Sequence, residues 1–232
     1  MIWLASFPRS GNTFFRIALE KLYGLQSLSL YEDDPASLSR RASSRVQSGL
    51  PALHASKDLH FIKTHELPDD GSPAILLVRD GRDAMVSFTH FIQDYGVVRW
   101  SLMDRLDAHR RQLLNGTPPF AQLLRKVILR EHFDWSAHYM AWRRRPAGCA
   151  VVHFESLVRE PAYALRQSLG SLGIELPSRG ERLPDFDQLH AQDPKFFRAG
   201  TSGQWRTEMS PELEDLFWRE HGDAMLDAGY RR

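Results

Sequence analysis

One cysteine in 232 residues, Cys149, excludes an internal disulfide and any zinc site built on thiolates. Lysine is scarce as well: only Lys21, Lys57, Lys63, Lys126 and Lys195 occur, so 25 of the 30 basic residues are Arg. No apolar run approaches the roughly 20 residues of a membrane-spanning helix. Met1–Ala5 runs at once into Pro8–Arg9, without the basic start, long apolar core and small-residue cleavage site of a secretory signal. A cytoplasmic location is therefore expected. An excess of one charge is also missing. Thirty Lys and Arg against 29 Asp and Glu leave a formal charge of +1, which speaks against a broadly basic nucleic-acid binder and against an acidic, solvating chain.

What is present is ordinary for a globular chain: 42% hydrophobic and 25% charged residues. The length suits a single domain, residues 1–232, and no internal repeat or long linker divides it. Four short apolar runs read as strands: Ile2–Phe7, Leu59–Thr64, Ala74–Val78 and Cys149–Phe154. Helical spacing follows three of them: Phe14, Ile17, Ala18 and Leu22, stopped by Gly24; then Ala84, Met85, Phe88 and Phe91; then Leu165, Leu169 and Leu172. Residues 99–145 read as helical around a break at Asn115–Pro119. Ser210–Pro211 opens a last amphipathic helix, and residues 37–57 read as a surface segment. Strand–helix alternation predicts an α/β fold with a central parallel sheet flanked by helices, whose ligands gather outside the carboxyl ends of the strands.

Four segments carry chemistry, and each is expected at such an end. Ser6–Thr13 is a small-residue turn between a strand and a helix. Its backbone N–H groups, the helix N-terminus, the hydroxyls of Ser10 and Thr13, and the charge of Arg9 suit an oxyanion. It is not a Walker A loop, since the first Gly and the Lys are missing. Arg79–Asp83, with Ser87 beyond, suits a second phosphate; Arg79 stands at the end of the clearest strand, while Arg82 and Asp83 read as a solvated helix start. Lys63–Glu66 offers His65 as a base near neutral pH beside a stabilising Lys63. Phe197–Arg206, with two Gly and two Arg, reads as a flexible lid over an anion.

In order, these segments resemble the signatures of sulfotransferases that use 3′-phosphoadenosine 5′-phosphosulfate (PAPS), the cytosolic branch most closely. Those signatures are Tyr-Pro-Lys-Ser-Gly-Thr-Thr-Trp, Lys-Thr-His-Leu-Pro, Arg-Asn-x-x-Asp-x-x-x-Ser and Arg-Lys-Gly-x-x-Gly-x-Trp-Lys. The resemblance runs from Phe7 to Arg206 and implies a P-loop-like sulfotransferase fold. It implies that Arg9, Ser10, Gly11, Asn12 and Thr13 hold the 5′-phosphosulfate, and that Phe14 stacks on adenine. Arg79, Ser87, Arg198 and the Gly200 backbone then take the 3′-phosphate. His65 becomes the general base, Glu66 its reserve, and Lys63 and Arg9 stabilise the transferring group, with PAPS as donor, PAP as product and no metal.

The departures are Arg9 for Lys, Asn12 for Thr, Ala199 for Lys, Gln204 for Asp and Phe154 for Tyr. The family's C-terminal dimer motif is not recognisable in Thr207–Pro211, which leaves the oligomeric state open. The implied acceptor is a small molecule, lipid or glycan bearing a hydroxyl (or an amine), with no nucleic-acid partner. Its walls are expected in residues 31–58 and 92–135, and Phe88, His90, Phe91, Tyr95 and Trp100 are candidate lining. Two readings compete: a P-loop-type nucleotide kinase, and a nucleotide-binding protein without turnover.

Overall fold

Five short strands lie parallel in one sheet: β1 (Ile2–Ser6), β2 (Ser27–Ser29), β3 (Phe61–Thr64), β4 (Ala74–Val78) and β5 (Cys149–His153). Their order is β2-β3-β1-β4-β5, so the chain crosses over β1 between β3 and β4. The computed structural model describes residues 1–31, 50–95, 119–130, 133–180, 182–194, 197–198 and 200–232. Its helices are α1 (Asn12–Tyr23), α2 (Gly81–Tyr95), α3 (Phe120–Ile128), α4 (Trp135–Arg143), α5 (Phe154–Arg159), α6 (Pro161–Gly170), α7 (Phe186–Gln192), α8 (Trp205–Glu208) and α9 (Pro211–Asp227). No described helix is long and apolar enough to cross a membrane.

Every residue of β1, β3 and β4 is buried, because helices cover both faces of the sheet. Trp3, Ala5, Ile62, Leu76 and Val78 pack into a cluster with α2, α3, α4 and α9; Ile2, Leu4, Phe61, Ile75 and Leu77 pack with α1 and α6. The four expected strands form within a residue or two of their expected bounds. β2 was not anticipated: three residues, two of them Ser, make no apolar run. Gly24 ends α1 in the left-handed region, its N–H donating to Glu20 O, and the Ser210 hydroxyl caps α9 by accepting from Leu213 N–H. The helix expected after Glu155 divides into α5 and α6 at Pro161.

One expectation is corrected. Arg82 and Asp83 are not a solvated helix start; they are 3% and 1% exposed. Arg82 lies 3.8 Å above the Trp205 ring, donates to Asp80 at 2.7 Å and reaches Glu214 at 3.4 Å. Both side chains tie the start of α2 to C-terminal segments that no local pattern could show.

His138 on α4 lies among Phe7, Phe133 and Trp142, and its buried Nε2 has no hydrogen-bond partner. Burial pushes its pKa from 6.5 down to about 3. The unfolded chain therefore takes up this proton first, and native stability falls as pH drops below about 6.5. His138→Leu should remove about 2 kcal/mol of the loss in unfolding free energy between about pH 7.5 and pH 5. Denaturant titrations of both proteins at the two pH values measure this, and parallel pH dependences would refute it.

Candidate active site

Because β1 lies between β3 and β4, the segments that follow these three strands open at one edge of the sheet. The first is the β1–α1 loop. Arg9 (φ 68) and Gly11 (φ 92) are both left-handed, and the Ser10 N–H turns back to Phe7 O at 3.3 Å. Such alternation curls a chain so that its N–H groups face one concavity. Gly11 is required twice, by its φ and because a Cβ there would lie 2.6 Å from Phe154. A non-glycine residue held left-handed, as Arg9 is, marks strain of the kind that collects at functional sites.

The N-terminus of α1 has no side-chain cap and no acidic residue in its first turn, so its partial positive charge is not offset locally. Ser10 Oγ and Asn12 Oδ1 are buried without a hydrogen-bond partner. The Asn12 amide donates to Leu4 O at 3.0 Å and Ser6 Oγ at 3.2 Å, bracing the loop on β1. Thr13 is buried and Phe14 half-buried on α1. Arg9 Nε donates to Ser87 Oγ at 3.3 Å, and its guanidinium lies 5.3 Å from the Phe91 ring centre.

At the end of β3, His65 is buried with Nδ1 2.7 Å from Ser6 O. A carbonyl only accepts, so Nδ1 carries the proton and Nε2 of the neutral ring keeps its lone pair. The ring stacks on Tyr31, whose hydroxyl accepts from the His65 N–H at 2.7 Å. Lys63 is also buried, its Nζ 5.9 Å from the centre of the same Tyr31 ring. Glu66 is exposed, and Thr64 Oγ1 binds its backbone, whereas the His65 ring is buried and anchored on Ser6 O. Beside His65 a cleft of about 280 Å³ is lined by Leu67, Phe133, His138 and Trp142 among others.

At the end of β4, Arg79 is 6% exposed. It donates to Arg9 O at 3.2 Å and Thr201 O at 3.0 Å, and its guanidinium covers the Phe154 ring at 4.4 Å. Its Nε is buried without a partner. Burial lowers the Arg79 pKa, opposed by the charges of Asp83, Glu155 and Asp80, and the nearby charge of Arg198 lowers it further. Phe154, which had no assigned role, is the surface on which both Gly11 and Arg79 rest.

The Phe197–Arg206 segment does not hang free. The Asp83 carboxylate accepts from Gly203 N–H at 2.6 Å and Trp205 N–H at 3.0 Å, where α8 begins. Arg198 donates to Gln204 Oε1 at 2.6 Å and pairs with Glu208 at 2.9 Å; His90 contacts the other oxygen of Glu208. Gly200 is left-handed, and Ala199 lies outside the described residues.

Direct hydrogen bonds thus join Arg9, Ser87, Arg79 and the 201–205 loop, and His65 is held on the same β1–α1 segment through Ser6 O. Phe88 is buried in the core cluster. Trp100 and most of the expected acceptor walls fall outside the described residues, and of Tyr95 only the backbone is described. Asp83, Glu155, Tyr31 and Tyr230 were missed. Only Asp83 had a signal, a dense charge cluster directly after an all-apolar strand.

Solved structures share this fold at low identity. A mouse sulfotransferase, SULT7A1, complexed with PAP superposes with a TM-score of 0.68 at 18% identity, covering 99% of this chain and 88% of that one. Retinol dehydratase in complex with androsterone and inactive cofactor PAP gives 0.54 at 19% identity, covering 100% and 82%. Among curated sequences, WSCD family member AAEL009094 of Aedes aegypti is 37% identical over 177 residues, 74% of this chain and 50% of its own length. WSCD family member CG9164 of Drosophila melanogaster is 27% identical over 175 residues, 73% and 49% respectively. The chain spans about half the length of these curated relatives. The sulfotransferase domain matches residues 1–225, from before β1 through most of α9, and this chain belongs to that family.

Proposed function

We propose that the protein transfers a sulfuryl group from PAPS to a hydroxyl or amine of a small-molecule, lipid or glycan acceptor. The observation that carries this reading is that one loop holds both halves of the chemistry. Ser6 O fixes His65 and Arg9 O fixes Arg79, three residues apart on the β1–α1 turn. A base with a defined lone pair and a buried cation are thereby held in one frame, as in-line transfer demands. The unpartnered Ser10 Oγ and Arg79 Nε suit a donor carrying several oxyanions. The PAP held by the mouse sulfotransferase and by retinol dehydratase supports the same donor.

In this reading the loop N–H groups, Ser10, Thr13 and Arg9 hold the 5′ end of the donor. Arg79, Ser87, Arg198 and the Gly200 backbone hold the 3′-phosphate, and Phe14 lies against the base. The acceptor oxygen bonds to sulfur as the bond from sulfur to the 5′-phosphate oxygen breaks. The acceptor proton passes to His65 Nε2, and Ser6 O stabilises the imidazolium through Nδ1–H. Lys63 and Arg9 offset charge on the sulfuryl and bridging oxygens. The cleft beside His65 receives the acceptor.

His65→Ala should lower turnover by about 10²-fold or more while PAP affinity changes less than about threefold. Sulfate transfer from labelled PAPS and PAP titration measure the two effects; near-normal turnover removes His65 from the chemistry. Arg79→Ala should weaken PAP by roughly 10- to 100-fold and adenosine 5′-phosphate far less. Equal losses for the two nucleotides would place the 3′-phosphate elsewhere.

A further inference from the structure

A buried guanidinium usually finds a carboxylate. Arg79 has three in range, Asp83, Glu155 and Asp80, each near enough to favour its charge. Among the described residues it pairs with none of them and donates instead to the carbonyls of Arg9 and Thr201. Each carboxylate is occupied by another donor. Arg82 holds Asp80 at 3.0 and 2.7 Å. The Gly203 and Trp205 N–H groups hold Asp83. Glu155 accepts from Asp80 N–H at 3.2 Å through Oε1 and from the Tyr230 hydroxyl at 2.9 Å through Oε2.

Tyr230 is well placed for this. Its N–H donates to Met225 O at 2.9 Å just past α9, and its ring meets His153 edge-on with centres 5.6 Å apart. The hydroxyl also lies 3.2 Å from His153 Nδ1, so it can accept there while donating to Glu155. Burial and the Glu155 charge push the Tyr230 pKa up, which keeps the phenol protonated and a donor. Asp80 is tied by a charged partner and Asp83 by backbone. Glu155 Oε2, in contrast, is held by one neutral hydroxyl.

We propose that Tyr230 is a positioning residue for the donor site: its hydroxyl holds the Glu155 carboxylate away from Arg79 and so leaves Arg79 to a phosphate dianion. This rests on the reading that Arg79 binds the 3′-phosphate. Without the hydroxyl, Glu155 Oε2 loses its donor, and Arg79 is a buried cation close enough for the two charges to interact. The carboxylate then competes with the phosphate.

Titration calorimetry of the full chain with PAP and with adenosine 5′-phosphate tests this. Tyr230→Phe should weaken PAP by roughly tenfold and adenosine 5′-phosphate by less than about twofold. Adding Glu155→Gln should restore PAP binding to within about twofold of wild type, because a neutral amide accepts from Asp80 N–H but does not pair with Arg79. A merely structural Tyr230 predicts the opposite, a double variant no tighter than Tyr230→Phe, and that result overturns the proposal. So does an unchanged PAP affinity in Tyr230→Phe. Equal binding of the two nucleotides by wild type would overturn the Arg79 reading itself, and the role of Tyr230 with it.

Discussion

Keeping one guanidinium charged, buried and unneutralised at the end of the central strands is the constraint on which the rest of this site depends. Moving a cation out of water is costly, and a protein ordinarily offsets the cost with a carboxylate in contact. At Arg79 the offset is divided instead. Two carbonyls accept its hydrogen bonds, the Phe154 face covers it, and three acids act from a distance. Such an arrangement stabilises the charge without filling the space in front of it. A preorganised anion site needs that combination, since a direct ion pair would have to be broken at every binding event.

The same economy explains why the C-terminal half of the chain wraps back over β4. Asp83 receives the N–H groups that open α8, Arg82 stacks on Trp205 and reaches the first turn of α9, and Arg79 itself donates to the Thr201 carbonyl. Five consecutive residues, Arg79–Asp83, thus link the sheet to segments more than a hundred positions away. The loop after β1 is shaped from the other side by the start of α5, because Gly11 packs on Phe154. His65, Arg79 and the 201–205 segment are therefore all tied to the ends of neighbouring strands.

Much of this was legible from local pattern. Arg9, His65 and Arg79 stood out because each follows an apolar strand within a few residues, where a polar side chain has few bland explanations. The runs Ile2–Phe7 and Ala74–Val78 are apolar because both sheet faces are covered, so their strand character was unambiguous. β2 was invisible because an edge strand of three residues needs no hydrophobic signature. Arg82 and Asp83 were misread because a charged pair opening a helix is usually solvated, and only tertiary contact shows otherwise. Glu155 and Tyr230, 75 positions apart, meet only after the sheet and α9 have packed. Contacts made by topology leave no spacing to read.

The imbalance between Arg and Lys also acquires a physical reading at the positions that matter. Arg9 uses its Nε for Ser87 while its guanidinium lies near Phe91; Arg82 serves Asp80, Glu214 and the Trp205 face together; Arg79 donates from both terminal nitrogens to carbonyls of two different loops. Each role needs several donors fixed in one plane, or a flat cation against a ring, and an ammonium supplies neither. Lys63 differs, a point charge near the ring of Tyr31. Charge that has to be divided among several fixed partners falls to Arg at these positions. A nearly neutral chain can therefore keep Arg79 buried with no carboxylate in contact among the described residues, because the acids near it are engaged by other donors.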